Sequence, residues 1–184
     1  VGLLWQAGES TVLEAVKKVP PGSLIRVQDG QVKSQERYYT CPSYKGDYSL
    51  EASKEALDRD LVDSVESQLV SDVEVGAFLS GGVDSSLVCA IAKNKNPEFK
   101  KVYSIDIEAE ENKKEGLTED LPFAQKVAQD LKLDLHVVKA SADLANLLPK
   151  CLYHLDEPQA DPAILNAYQI CSLAKSDGIK VLLS

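Results

Sequence analysis

The sequence predicts an α/β fold: a parallel sheet with helices on both faces, preceded by a small antiparallel β segment. Three observations predict it. Short apolar runs suited to buried strands recur at Val73–Leu79, Val102–Ile107, Leu133–Val138 and Ile179–Leu183. Between them lie longer stretches whose apolar residues repeat at helical spacing, and strands that alternate with helices need crossover connections. The first forty residues lack that alternation and carry a hairpin pattern instead.

Taken in order, Pro20-Pro21-Gly22 punctuates the chain before Leu24 to Gln28, Asp29-Gly30 and Gln31 to Lys33. That succession reads as two strands joined by a two-residue turn. Residues 41–49, CPSYKGDYS, are turn-forming and suit a linker. The predicted division is therefore 1–40, 41–49 and 50–184. From Leu50, residues Ala52, Leu57, Leu61, Val62, Val65 and Leu69 share one helical face, with Ser49 as cap and Glu51 in the first turn. A second helix is predicted from Ser85 to Lys93. Glu108 to Glu119 is charged and aperiodic, and reads as a mobile loop that covers the site. Pro122 suits the first turn of a helix bearing Phe123, Ala124, Val127, Ala128 and Leu131. Leu144, Leu147, Leu148, Cys151 and Leu152 form another face, which Pro149 can bend or break. Asp161-Pro162 opens a last helix to about Lys175, and Asp177-Gly178 ends it. No internal repeat or low-complexity tract is visible.

The 184 residues, 44% hydrophobic and 27% charged, have the composition of a globular protein. A domain of that size buries roughly 70% of its unfolded surface and needs no disulfide staples. Net charge is −9 and the sequence pI about 4.8, which argues against a nucleic-acid partner. No apolar run reaches the length of a membrane span, and VGLLW is too short for a signal peptide. The four cysteines include no CxxC pair, so a zinc knuckle or redox motif is not expected. Cys89, Cys151 and Cys171 fall in apolar helical patterns and are expected to be buried thiols; a reducing cytoplasm follows. His136 and His154 are expected to be structural or exposed. The chain has no methionine and stops just after a strand-like run, so both ends read as cut from something longer.

The stretch that carries chemistry is SGGVDSS, Ser80 to Ser86, between a buried strand and a helix. Ligands of parallel α/β sheets bind at the carboxyl ends of strands. A helix start offers unpaired amides and the positive end of the dipole. Gly81 and Gly82 let the backbone turn and come close to a ligand, and Ser80, Ser85 and Ser86 add hydroxyls. The result is an anion cradle of phosphate size. It is neither a Walker loop nor G-x-G-x-x-G. A helix end alone contributes about 0.3–1 kcal/mol, up to about 2 in sheltered geometry. A micromolar ligand needs about 8 kcal/mol, so specific bonds, a metal and a base pocket must supply the rest. Asp84 is the unusual member. It either complements the dipole as a first-turn acid or binds Mg²⁺ bridged to phosphate oxygens.

S-G-G-x-D-S-S after a buried strand resembles the pyrophosphate loop of the N-type ATP pyrophosphatases. SQLVSDVEVGAFLSGGVDSS, YHLDEPQADPA, SDGIKVLLS and VPPGSLIRVQDGQV together resemble glutamine-dependent asparagine synthetases. The resemblance implies an adenine nucleotide alpha hydrolase-like fold over residues 50–184, with residues 1–40 as the β-rich tail of a glutaminase-like domain. It implies ATP and Mg²⁺. Ser80, Gly81, Gly82, Val83, Asp84, Ser85 and Ser86 would wrap the β- and γ-phosphates, with Asp84 near the metal. Phe78 would touch the nucleotide, Ile107 would contact adenine, and Ser184 would open a motif S-G-x-G-x-D beside it. Phe78 and Ile107 have an alternative as plain core residues. Asp156, Glu157 and Asp161 shape an acceptor pocket or form a solvated turn.

The implied reaction is amidation of a carboxylate through an acyl-adenylate, releasing AMP and pyrophosphate. Its partners would be aspartate or an analogue and ammonia derived from glutamine, with no nucleic acid or membrane; a homodimer is compatible. The family's glutaminase nucleophile is an N-terminal cysteine. This chain begins with Val1, and no catalytic residue can be assigned within it. Two alternatives stand: another N-type pyrophosphatase of the GMP, NAD or argininosuccinate synthetase type, or a non-catalytic nucleotide-binding domain.

Overall fold

The computed structural model describes residues 6, 8–43, 49–107, 120–140, 144–155 and 159–184. In chain order the elements are β1 (Ser23–Gln28), β2 (Gln31–Arg37), α1 (Leu50–Gln68), β3 (Val75–Phe78), α2 (Val83–Lys95), β4 (Lys101–Asp106), α3 (Leu121–Leu131), β5 (Asp134–Lys139), α4 (Leu144–His154), α5 (Ala163–Ser176) and β6 (Val181–Leu183). They fall into two compact units. One comprises Val1–Asp47 with Ala145–Pro162, the other Tyr48–Leu144 with Ala163–Ser184.

In the first unit β1 and β2 pair antiparallel, Gln28 opposite Gln31. Asp29 (φ 52°) and Gly30 (φ 70°) both take positive φ, the conformation of a type I′ hairpin turn and the reason an Asp-Gly pair sits there. The apolar residues of this ribbon, Leu24, Val27 and Val32, are all more than half exposed. Helix α4 runs through Pro149 without interruption and buries Cys151.

The second unit is a four-stranded parallel sheet in the order β5-β4-β3-β6. Its strands alternate between two cores, as a period of two requires. Val75, Ala77 and Leu79, with Val102, Leu135 and Leu183, face a cluster built with Val65 of α1, Cys89 and Ala92 of α2, and Ala124 and Ala128 of α3. Phe78, Tyr103, Ile105, Val138 and Leu182 face the other, built with Ile170 and Ala174 of α5 and with Ile179. Helices thus cover both faces of the sheet. The sheet leaves little room for a side chain at Gly76, where a Cβ would lie 3.0 Å from both Leu182 Cδ2 and the Lys101 carbonyl oxygen.

Helix α1 begins at the predicted cap: Ser49 Oγ accepts from the Ala52 amide at 3.1 Å. Its predicted apolar face holds only in its second half. Val65 is buried and Leu61, Val62 and Leu69 pack on the core, whereas Ala52 and Leu57 are exposed because the first half does not reach it. Two further expectations need correction. Phe123 is 60% exposed, because α3 presents Ala124 and Ala128 inward and Phe123 precedes that stripe by about 100° of helical turn. Cys171 is exposed for the same reason, one position past the stripe Leu165, Gln169, Ile170 and Ala174. Cys89 and Cys151 are buried as expected. The predicted cover over residues 108–119 lies outside the described residues.

The turn after α5 is tied to the sheet by a cluster that periodicity does not reveal. Tyr103 Oη donates to Asp177 Oδ2 at 3.2 Å, and His136 Nδ1 lies 2.8 Å from the same oxygen. The two rings stack at 5.1 Å, and Lys101 Nζ reaches Glu74 at 3.0 Å. Tyr103 is fully buried. Burial, then the charge of Asp177 and its hydrogen bond, then the charge of Glu74, push its phenol up to about 12. The folded value lies above the ordinary 10.0, so this contribution to stability is complete below about pH 10 and is lost as pH rises through about 12. Tyr103→Phe is expected to cost about 1 kcal/mol at neutral pH. It should also reduce the loss of unfolding free energy between about pH 10 and 12. Urea unfolding at several pH values checks both.

Candidate functional site

The order β5-β4-β3-β6 means that the chain leaves β3 for β4 and β5 on one side and returns to β6 on the other. The helix after β3 packs in one core and the helix before β6 in the other. Connections therefore diverge beside β3, and the carboxyl edge there is a topological switch point, where open α/β sheets form a crevice for ligands. The SGGVDSS loop leaves β3 at that edge. Because the strands are parallel, Ile107 after β4 and Ser184 after β6 emerge at the same edge.

The loop is short. The Leu79 amide still donates to Tyr103 O at 2.8 Å, and α2 has begun by Val83. Gly81 takes φ +84°, a left-handed conformation that favours glycine. Gly82 is the N-cap of α2, in extended conformation and with no side-chain cap bond. The Ser86 amide bonds Gly82 O at 3.1 Å, so the Val83, Asp84 and Ser85 amides lie upstream of that first helical bond. The serine hydroxyls bond within the loop. Ser80 Oγ and Ser85 Oγ are 2.9 Å apart, Gly82 N donates to Ser80 Oγ at 3.3 Å, and Ser80 N donates to Ser85 Oγ at 3.3 Å. Ser85 Oγ also lies 3.3 Å from Gly82 O as a donor. Ser86 Oγ is buried and, among the described residues, has no hydrogen-bond partner. Ser80, Gly82, Val83 and Asp84 are exposed.

Phe78 is half-buried and packs in the core on the α5 side with Tyr103 and Ile105, two residues before Ser80. Ile107 is half-buried and Ser184 exposed. Asp156 and Glu157 lie outside the described residues. Among the described residues no group of three or more His, Cys, Asp or Glu side chains is placed to hold a metal ion. Two features escaped the sequence. One is the first turn of α3, whose Phe123 and Ala124 abut Gly81. The other is an apolar groove of about 430 Å³ between α2 and α3, lined by Val83, Leu87, Ala90, Val127 and Leu131. Pro122 signalled a helix start but not its neighbour in space.

Residues 56–184 match the family model for asparagine synthase. The chain belongs to the asparagine synthase family. It is 34% identical over 171 residues to asparagine synthetase [glutamine-hydrolyzing] 1 of Bacillus subtilis, covering 91% of this chain and 26% of that protein. It is 39% identical over 98 residues to asparagine synthetase B [glutamine-hydrolyzing] of Escherichia coli, covering 50% of this chain and 17% of that protein. The chain thus spans about a quarter or less of the length of these relatives. Among solved structures, the glutamine-dependent NAD+ synthetase of Acinetobacter baumannii bound to ADP is 17% identical, with a TM-score of 0.47, over 80% of this chain and 27% of that one. That likeness is too slight to build on.

Within the asparagine synthase sequence the two loop glycines are not equivalent. A Cβ on Gly81 would sit 2.4 Å from the Ala124 amide nitrogen, whereas one on Gly82 would meet only Ser80 Oγ, at 3.4 Å. Gly81→Ala is expected to lose about 1–2 kcal/mol to left-handed strain alone, and more to the overlap. Gly82→Ala, at the N-cap but with room for its Cβ, should lose no more than about 1 kcal/mol. Urea unfolding of the two variants checks the contrast.

Proposed function

We propose that this chain carries the ATP-phosphate cradle of an amide-forming ligase of the asparagine synthetase type. The observation that carries the reading is the meeting of a topological switch point with a helix start whose first amides precede any helical bond. The Gly82 to Ser85 amides and the Ser80, Ser85 and Ser86 hydroxyls are the donors for the β- and γ-phosphates, and Val83 lends its exposed first-turn position. Phe78 backs the loop from the core, Ile107 offers an apolar contact for the adenine ring, and Ser184 lies beside the nucleotide. Residues 1–40 are the tail of a glutaminase-like domain, 41–49 the linker and 50–184 part of the synthetase domain.

Asp84 fits Mg²⁺. The ion is commonly held by one or two carboxylates together with substrate phosphates rather than by an all-protein cage. Asp84 is an exposed carboxylate in the first turn of α2, beside the amides that would hold the phosphates. When bound, the metal supplies charge neutralisation on the phosphates. In the full-length protein a carboxylate, aspartate or an analogue, attacks the α-phosphorus of ATP. Pyrophosphate leaves into the cradle, and ammonia derived from glutamine displaces AMP from the acyl-adenylate. The residues of the loop act by positioning and by donating hydrogen bonds to the departing charge.

The full-length gene product should convert α-labelled ATP to AMP and pyrophosphate only when a carboxylate is present. Asp84→Asn should lower kcat/KM for ATP by about 10²-fold or more, with an unchanged melting temperature. ADP and orthophosphate as products, or an Asp84→Asn enzyme with wild-type kinetics, would overturn the reading.

A further inference from the structure

Gly81 is seated as well as bent. An ideal Cβ there would lie 2.4 Å from Ala124 N, 2.7 Å from Phe123 Cβ and 2.8 Å from Phe123 C. All three atoms belong to the first turn of α3. Two are main-chain atoms, and the third is fixed to the main chain, so no flexible side chain lies between the loop and the helix.

That first turn is stiff. Pro122 fixes its own φ. The Phe123 and Ala124 amides both bond Asp120 O, at 3.0 and 3.1 Å. Ala124 and Ala128 are buried against the sheet, which locks the helix in place. A groove lined by Val83, Leu87, Val127 and Leu131 lies between α2 and α3. The seat at Gly81 is a close approach of the loop to the main chain at the start of α3. Phe123 contributes by its Cβ, since its ring is 60% exposed.

We propose that the first turn of α3, through Phe123 Cβ and the Ala124 amide, is the positioning wall of the loop: it fixes where Gly81 sits and so where the Gly82 to Ser85 amides point. Phe123 is a positioning residue that acts through Gly81. Its effect on ATP rests on the phosphate-cradle reading; its effect on the loop does not. Cβ is the one side-chain atom of the wall, so Phe123→Ala keeps the wall whole, and Phe123→Gly takes away the Cβ and the stiffness it gives the turn while the two main-chain atoms stay. Gln125→Gly, on an exposed position of the same helix, matches the helix cost of glycine away from the loop.

The test compares these three variants with the wild-type chain by amide NMR and by calorimetry with Mg·ATP. Phe123→Gly is expected to shift the Gly81 to Ser86 amide resonances and to speed exchange of the Ser86 amide by about ten-fold relative to Gln125→Gly. It should also weaken Mg·ATP by about ten-fold at a melting temperature equal to that of Gln125→Gly. Phe123→Ala should resemble the wild type in every readout. Loop resonances and exchange that are the same in Phe123→Gly and Gln125→Gly would overturn the proposal. A loop that moves while Mg·ATP binding to the full-length protein stays unchanged, or is absent from the full-length wild type, would uphold the wall and sink the phosphate reading.

Discussion

Between Leu79, still bonded to β4, and Val83, already in α2, the chain has three residues in which to leave a sheet and enter a helix. Much of the unit follows from that constraint. The turn demands a left-handed residue, and only glycine adopts φ +84° there without strain. The turn also directs α2 back over the face that Ala77 and Leu79 bury, so the amides at its start are left at the carboxyl edge. A longer connection would permit the same topology without aiming those amides.

The sheet supports the turn by keeping β3 central. It is paired on both sides, it carries small residues at Gly76 and Ala77, and it faces two separate cores. The strand before the loop therefore has little freedom. Tyr103 performs a comparable task on the α5 side, where its hydroxyl holds Asp177 beneath the sheet and fixes the approach to β6. One strand neighbour, β4, thus accepts the Leu79 amide and anchors the turn that precedes the opposite neighbour.

Much of this was legible in the residues. The alternation of strands and helices, the Asp29-Gly30 turn, the Ser49 cap and the strand–loop–helix setting of Ser80 to Ser86 all rest on local chemistry, and local chemistry is written in order along the chain. What failed was whatever depends on the third dimension. Leu57 and Phe123 carry apolar side chains yet stand in solvent, because periodicity shows that a face exists but not where its partner ends. Cys171 misled for the same reason. The Tyr103, His136 and Asp177 cluster joins residues from three distant stretches, and no spacing rule connects them. The seat of Gly81 on α3 is similar: the sequence marks a glycine and a helix start, and only folding brings them together.

The hydroxyls of Ser80 and Ser85 stand 2.9 Å apart and already bond each other and the loop main chain. An anion bound at these two hydroxyls would trade one set of bonds for another, unlike one bound at the Val83, Asp84 and Ser85 amides or at Ser86 Oγ. The heat released on that exchange is the difference between two similar quantities, so it will be far smaller than the newly formed hydrogen bonds would release by themselves.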